Sequence, residues 1–293
     1  MGRDCRSVRV ALESRVAGGY TMATVATSPS TAPWAAALHL APGSALYVGP
    51  LNATGRHRHH ALQVCVGGAA GFRLRLGPRD PWQALTAAVV DADVPHQFDG
   101  RGELHAMLYL EPEYLTERLG VIPAGAGLSV LVNDGVETIR LGMAGTAAGG
   151  FAPEKVRELH RRMLHILGHD VSGRRPLDAR IERLLDAMRR SPAAAWSLAD
   201  AAAVMTLSIG RARHLFVGEI GITLRRFRRW IRLEAALHVL AGGQSLTTAA
   251  HSAGFADSAH LSRAFREMFG MAPSTATSAA RILVDHGRGL TVP

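Results

Sequence analysis

The spacing of apolar positions changes once along the chain. From residue 35 to 110 they come in short runs, ALHL, ALYV, ALQVCV, FRLRL, WQALTAAVV and LHAMLYL, broken at close intervals by Gly, Pro, Asn and Asp. That pattern predicts strands joined by tight turns and, at this spacing, a small antiparallel barrel or sandwich. Further on the spacing lengthens to three and four. In VRELHRRMLHIL, Val156, Leu159, Met163 and Ile166 share one stripe, an amphipathic helix that would suit a barrel face or a twin helix equally. A polar hinge, GHDVSGRRP at 168–176, follows, and all that comes after it reads as helix to about residue 280.

The helices after the hinge come in pairs. PLDARIERLLDAMRR leads, with Leu177, Ile181, Leu184, Leu185 and Met188 on one stripe. SLADAAAVM and SIGRARHLF then lie two residues apart, with Ser208 placed to cap the second. SLTTAAHSA and DSAHLSRAFREMF repeat the arrangement across Gly254, Phe255 and Ala256, where glycine permits a sharp turn and Asp257 can cap. This is helix-turn-helix spacing, and it occurs twice. In the last helix Leu261, Ala264, Phe265 and Met268 form an apolar stripe, while Ala259, His260, Arg263 and Arg266 gather opposite, a face suited to a partner.

The connecting segment TLRRFRRWIRLEAALHVLA, 223–241, carries two apolar stripes: Leu224, Phe227, Ile231 and Ala235, then Trp230, Leu233, Leu237 and Leu240. Such a helix would join two small cores. Arg225, Arg228, Arg229 and Arg232 fill the sector between the stripes. At about 1.5 Å per residue the rod is roughly 28 Å long, close to the ~34 Å between successive major grooves on one side of B-DNA.

Charge sharpens this picture. Of the formal +9, residues 1–173 hold 16 basic and 15 acidic side chains, whereas 174–293 hold 17 basic, all arginine, and 9 acidic. Concentrated arginine points to an anionic polymer, because the guanidinium forks onto phosphates and guanine edges. Only Cys5 and Cys65 are present, which excludes a disulfide framework or a four-cysteine zinc site. With no long apolar run and no secretion signal, the expected location is the cytoplasm. Nothing resembles a nucleophile elbow, a phosphate loop or a pair of acid–base carboxylates.

The pattern A-x3-GF-x-D-x3-LSR-x-F-x3-FG-x2-P, 250–273, together with Ser208, Leu215, Phe216, the GIT of 221–223 and RLE-x-A at 232–236, resembles the two-motif DNA-binding domain of AraC/XylS-type transcription regulators. The resemblance implies an α+β, two-domain protein with an N-terminal sensor. Carried over by position, it implies that the first recognition helix presents Gly210, Arg211, Arg213 and His214, and the second Ser258, Ala259, His260 and Arg263. Arg211 and Arg263 suit guanine, the histidines suit bases or phosphates, and Ala259 suits a thymine methyl. Arg225, Arg228 and Arg229 are read as phosphate contacts.

In GRHRHHALQV, His57 and His59 share a strand face, Gln63 lies four residues further on, and DVPHQF adds His96. This is similar to the cupin-barrel pattern, but Gln63 stands where metal-binding cupins carry Glu. The four residues are assigned to a small-molecule effector pocket, with a purely structural role and a metal site as the open alternatives and no cofactor expected. His60 receives no role, and His160, His165 and His169 are read as surface residues.

The expected organisation is a flexible leader at 1–33, a cupin-like antiparallel β-barrel sensor at 34–125, a connector with the amphipathic helix at 126–175, an all-α DNA-binding domain at 176–280 and a tail at 281–293. The function this implies is a sequence-specific, effector-responsive transcription regulator, an activator by family analogy and not an enzyme. It would act as a homodimer on double-stranded promoter DNA, with RNA polymerase a further partner. The alternatives are a metal-dependent cupin enzyme with an attached DNA-binding domain, and an architectural protein that coats DNA without sequence preference.

Overall fold

A computed structural model describes residues 35–114, 122–125, 127–131, 135–167, 176–277 and 280–285. The leader at 1–33, the hinge residues 168–175 and His169 lie outside the described residues. Every apolar run named above becomes a strand: β1 Ala36–Ala41, β2 Ser44–Ala53, β3 Leu62–Gly67, β4 Phe72–Arg75, β5 Gln83–Leu85, β6 Ala87–Val90 and β7 Gln97–Leu110. Three strands without a strong sequence signal join them, β8 Ile122–Gly125, β9 Leu128–Val130 and β10 Ala280–Val284.

The expected cupin-like barrel is not what forms. The sheet is open, in the order β10-β1-β2-β7-β3-β6-β9-β8, with β4 and β5 branching from β7, and among the described residues the path does not close on itself. Nor is it purely antiparallel, since β10 runs parallel to β1 with Leu38 opposite Ile282. Within the expected tail at 281–293, residues up to Val284 belong to an edge strand of the sheet.

A barrel would enclose one set of alternating side chains, whereas this sheet buries both sets against helices. On one face Leu46, Val48, Val64, Val66, Ala106 and Leu108 meet helices α1 Gly135–Ala148 and α2 Pro153–Ile166 through Ile139, Met143, Val156, Leu159 and Met163. The amphipathic stripe of α2 thus packs on both a twin helix and the sheet. His160, expected at the surface, is 1% exposed, its Nδ1 2.8 Å from Nδ1 of His39. It follows Val156 by four residues and so shares the buried face. His165 is exposed, as expected.

On the opposite face Leu38, Leu40, Tyr47, Leu51, Cys65 and Met107 join a core shared with the later helices. These are α3 Ala179–Arg190, α4 Leu198–Met205, α5 Ile209–Ile220, α6 Leu224–Ala241, α7 Leu246–Ser252, α8 Ser258–Phe269 and the short α9 Pro273–Thr277. Ser208 and Asp257 cap α5 and α8 as the sequence implies, Ser197 and Asp200 form a reciprocal box at α4, and Ser245 caps α7, each cap contributing about 1 kcal/mol, whereas Thr223 before α6 makes no side-chain cap. Instead of joining two separate small cores, α6 belongs to one continuous cluster that reaches the sheet. No helix among the described residues is long and apolar enough to cross a membrane.

Candidate functional site

The second helix of each pair turns a polar face outward. On α5, Gly210, Arg211, Arg213 and His214 are all exposed, while Ala212, Phe216 and Ile220 fill the core. A Cβ added at Gly210 would meet nothing within 4 Å, so its small size leaves open surface. On α8, Ala259 and Arg263 are exposed and Ser258 and His260 half-buried, over a buried stripe of Leu261, Ala264, Phe265 and Met268. The turn before α8 depends on Gly254 at φ +79°, where a Cβ would lie 2.7 Å from Ala193 Cα. His260 is held on two sides: its ring packs edge-on to Phe255 and its Nδ1 accepts the Ala256 amide at 3.4 Å. With Nδ1 accepting, a neutral His260 carries its proton on Nε2 and presents a donor.

The arginines of α6 divide by task. Arg225 is exposed. Arg228 donates to the Trp196 carbonyl at 2.8 Å, Arg232 donates to the carbonyls of Pro192, Ala193 and Ala194, and Arg229 pairs with Glu267 on α8. Arg226, outside the sequence assignment, forms a forked ion pair with Asp93 in the loop before β7. Much of the basic edge therefore ties α6 to its neighbours, which periodicity cannot show because those partners lie far away in sequence.

His57, His59, Gln63 and His96 do come together. One ring nitrogen from each histidine lies within 4.8 Å of the others, and all four residues are buried. Residues 57 and 96 are joined by two backbone hydrogen bonds, and the Gln63 Oε1 lies 2.7 Å from His59 Nε2 and 3.3 Å from His96 Nε2. Each Nδ1 sits on a backbone carbonyl: Gly55 at 2.8 Å, Ala61 at 2.7 Å and Val94 at 2.9 Å. Burial, reinforced by the neighbouring rings, lowers all three basicities, His57 to about 3, so the imidazoles are neutral near pH 7.

None of these four lines an apolar cavity of about 90 Å³ that lies between the sheet and helices α6 and α8. Its walls include Leu38, Leu40, Leu233, Leu237, Phe265 and Phe269. Leu233 and Leu237 belong to the second apolar stripe of α6, and the approach of the sheet turns that stripe into a cavity wall in place of the expected second small core.

A buried polar chain closes one side. Trp230 Nε1 donates to Glu111 at 2.7 Å, Arg189 of α3 donates to Glu111 at 2.6 Å and to Glu113 at 3.4 Å, and His60 Nε2 lies 2.7 Å from Glu113. Desolvation pushes Glu111 up. It opposes ionisation of Glu113 too, yet His60 and Arg189 outweigh it and hold that carboxyl below its usual range. His60, given no role from sequence, belongs to the bond network linking sheet, α3 and α6. No local pattern around EPEY signals this.

Residues 201–279 match the family model described as a helix-turn-helix domain, and this segment is such a domain, of the AraC type. Over 100 residues the chain is 37% identical to the uncharacterized HTH-type transcriptional regulator YidL of Escherichia coli strain K12, a match covering 34% of this chain and 34% of that protein. The chain thus spans about a third of the length of the curated relative it matches. Among solved structures, ToxT from Vibrio cholerae O395 superposes with a TM-score of 0.52 at 11% identity, over 81% of this chain and 98% of that one. A second ToxT structure, described as bound to (E)-4-(8-methylnaphthalen-1-yl)but-3-enoic acid, gives 0.51 at 10% identity, over 81% and 99%. The fold likeness therefore extends over both sheet and helices.

Proposed function

We propose that this protein is a sequence-specific DNA-binding transcription regulator responsive to a small apolar effector. The observation that carries the reading is the pairing of two outward polar helix faces, Arg211, Arg213 and His214 on α5 with His260 and Arg263 on α8, across the single rod α6. Both belong to the segment that matches the helix-turn-helix family. At ~1.5 Å per residue α6 is about 27 Å long, the scale needed to set two helices into successive major grooves. Arg225 supplies a phosphate contact, whereas Arg228 and Arg229 must first leave Trp196 and Glu267.

The effector site is the apolar cavity. It lies between the sheet and the two helices that position the recognition faces, so a ligand filling it alters how α6 and α8 seat on the sheet and thereby favours one arrangement over another. The ligand-bound ToxT structure supports this reading by fold analogy. The test is selection of duplexes from a genomic library by the full chain, followed by competition binding. A preference of about a thousandfold over random duplex is expected, and Leu233→Trp, which fills the cavity, should abolish effector dependence while leaving DNA affinity in place. Equal displacement by random duplex would favour the architectural alternative.

A further inference from the structure

We infer that the arginine-lined cleft between the loop after β2 and the start of α6 binds a small polyphosphate anion, at a site separate from the apolar cavity. The cleft has a volume of about 640 Å³, within the size range of small-molecule sites, and shares no lining residue with the cavity. Arg56 and Arg58 enter it from the sheet half, and Arg225, Arg226 and Arg229 from the first two turns of α6. Among the described residues, two carboxylates answer these five guanidiniums. Asp93 takes the forked pair from Arg226 and lies 3.8 Å from Arg58, and Glu267 of α8 pairs with Arg229. Arg56 and Arg225 are exposed and have no acidic partner among the described residues. His57 lines the same cleft but is neutral near pH 7, so it adds no charge. Three positive charges therefore stand unbalanced in a concave place, which concentrates the field they make.

This arrangement is costly by itself. Arg225 and Arg226 occupy the first turn of α6, the end of a helix that favours negative charge, and Thr223 supplies no side-chain cap there. An anion in the cleft relieves both the dipole and the mutual repulsion of the arginines. The walls select phosphate. A guanidinium forks onto phosphate through two parallel N–H bonds, and a chain of phosphates offers oxygens in many directions, so it can accept from arginines on facing walls at once. A planar carboxylate reaches fewer of them. Pro95 and Met268 are the apolar residues of the lining, and no Phe, Tyr or Trp joins them among the described residues. Nothing is built to stack a nucleobase, and recognition falls to the phosphate chain.

The cleft has one wall from each half of the protein. Its sheet-side wall is fixed to the end of α8, since the Gly55 amide, next to Arg56, donates to the Gly270 carbonyl at 2.8 Å. A polyphosphate seated there holds the loop after β2 against α6, and it claims Arg225, the same guanidinium assigned above to a DNA phosphate. Polyphosphate should therefore weaken DNA binding. This coupling rests on the DNA-binding role proposed above, whereas the anion site does not.

The experiment is calorimetric titration of the full chain with tripolyphosphate, ATP, citrate and sulfate at constant ionic strength. One tripolyphosphate per chain is expected, bound at least tenfold more tightly than citrate or sulfate, and it should raise the thermal midpoint. Equal affinity for ATP assigns recognition to the phosphate chain alone, and tighter binding of ATP assigns the source to nucleotides. Arg56→Glu and Arg58→Glu should each weaken binding at least tenfold, and Glu267→Gln, which frees Arg229, should strengthen it severalfold, with circular dichroism verifying the fold. Citrate binding as tightly as tripolyphosphate overturns the choice of phosphate. Absence of saturable tripolyphosphate binding by both the folded wild type and Glu267→Gln overturns the site; if Arg56→Ala then lowers the salt dependence of DNA binding as Arg225→Ala does, the cleft is an arm of the DNA interface. Tripolyphosphate should weaken DNA binding by the wild type and not by Arg56→Glu. Tripolyphosphate binding with unaltered DNA affinity overturns the coupling alone, whereas tripolyphosphate binding by a chain that ignores DNA overturns the proposed function and not the anion site.

Discussion

The amide of Gly55, in the loop after β2, donates to the carbonyl of Gly270, the residue that ends α8, at 2.8 Å. This backbone bond joins the segment carrying His57 to the helix carrying His260 and Arg263. It requires glycine at 270, where φ is +70° and a Cβ would stand 2.5 Å from the Gly55 oxygen and 2.6 Å from His57 Nδ1. Gly221 ends α5 at φ +82° with nothing within 4 Å of its Cβ position. Ala at 221 should therefore cost only the left-handed backbone, about 1–2 kcal/mol, and Ala at 270 should cost that plus the clash. Urea denaturation of Gly221→Ala and Gly270→Ala measures the difference; equal losses would mean the close approach is not made.

Arg189 neutralises two buried carboxylates at once. Arg189→Met should lower stability by about 3–5 kcal/mol, because Glu111 loses its cation and Glu113 keeps only its bond to His60. Adding Glu111→Gln should recover part of that loss, and a double variant no better than the single would argue against the pairing.

Stability should fall in mild acid. His39 and His105 are 3% and 0% exposed, and desolvation holds both below their ordinary value of 6.5. Below about pH 6.5 the unfolded chain takes up a proton at each while the folded chain does not. The full stability is therefore present above that pH and declines as pH drops, by up to about 1.4 kcal/mol per pH unit for each histidine. Denaturation midpoints at pH 7.5 and 5.5 test the sign, and His105→Gln should flatten the slope.

The arginines of the surface proposed to face DNA should separate by salt. Arg263→Ala should cost about 1–3 kcal/mol against one base pair of the operator. Arg225→Ala should weaken all duplexes alike and reduce the slope of log affinity against log salt by about 0.9. Arg228→Ala, whose guanidinium holds the Trp196 carbonyl, should instead appear mainly in thermal stability. A change in salt slope as large as that of Arg225→Ala would instead support a direct phosphate contact by Arg228.

Much of the helical half was legible beforehand, because its signals are local. The caps Ser208 and Asp257, the turn at Gly254 and the α8 stripe of Leu261, Phe265 and Met268 lie within a few residues of what they determine. The strands were legible too, since alternation is a property of each segment. Their assembly was not: an apolar run reads alike in a barrel and in an open sheet covered on both faces, and α1, whose apolar residues make only a weak stripe, gave no sign of the second layer. His57, His59, Gln63 and His96 were found as a group by spacing, yet spacing could not say that each Nδ1 already rests on a carbonyl.

By itself, then, the chain determined strands β1 to β7, helices α2 to α8, the caps at Ser208 and Asp257 and the outward faces of α5 and α8, since these follow from periodicity and short-range hydrogen bonding. Tertiary structure alone decided the open sheet with β10 at its edge, the meeting of His160 with His39, the partners Asp93, Trp196 and Glu267 of Arg226, Arg228 and Arg229, and the Gly55–Gly270 bond. Each of those depends on groups from 30 to over 200 residues apart meeting in space, and no local pattern encodes which distant partner will be there.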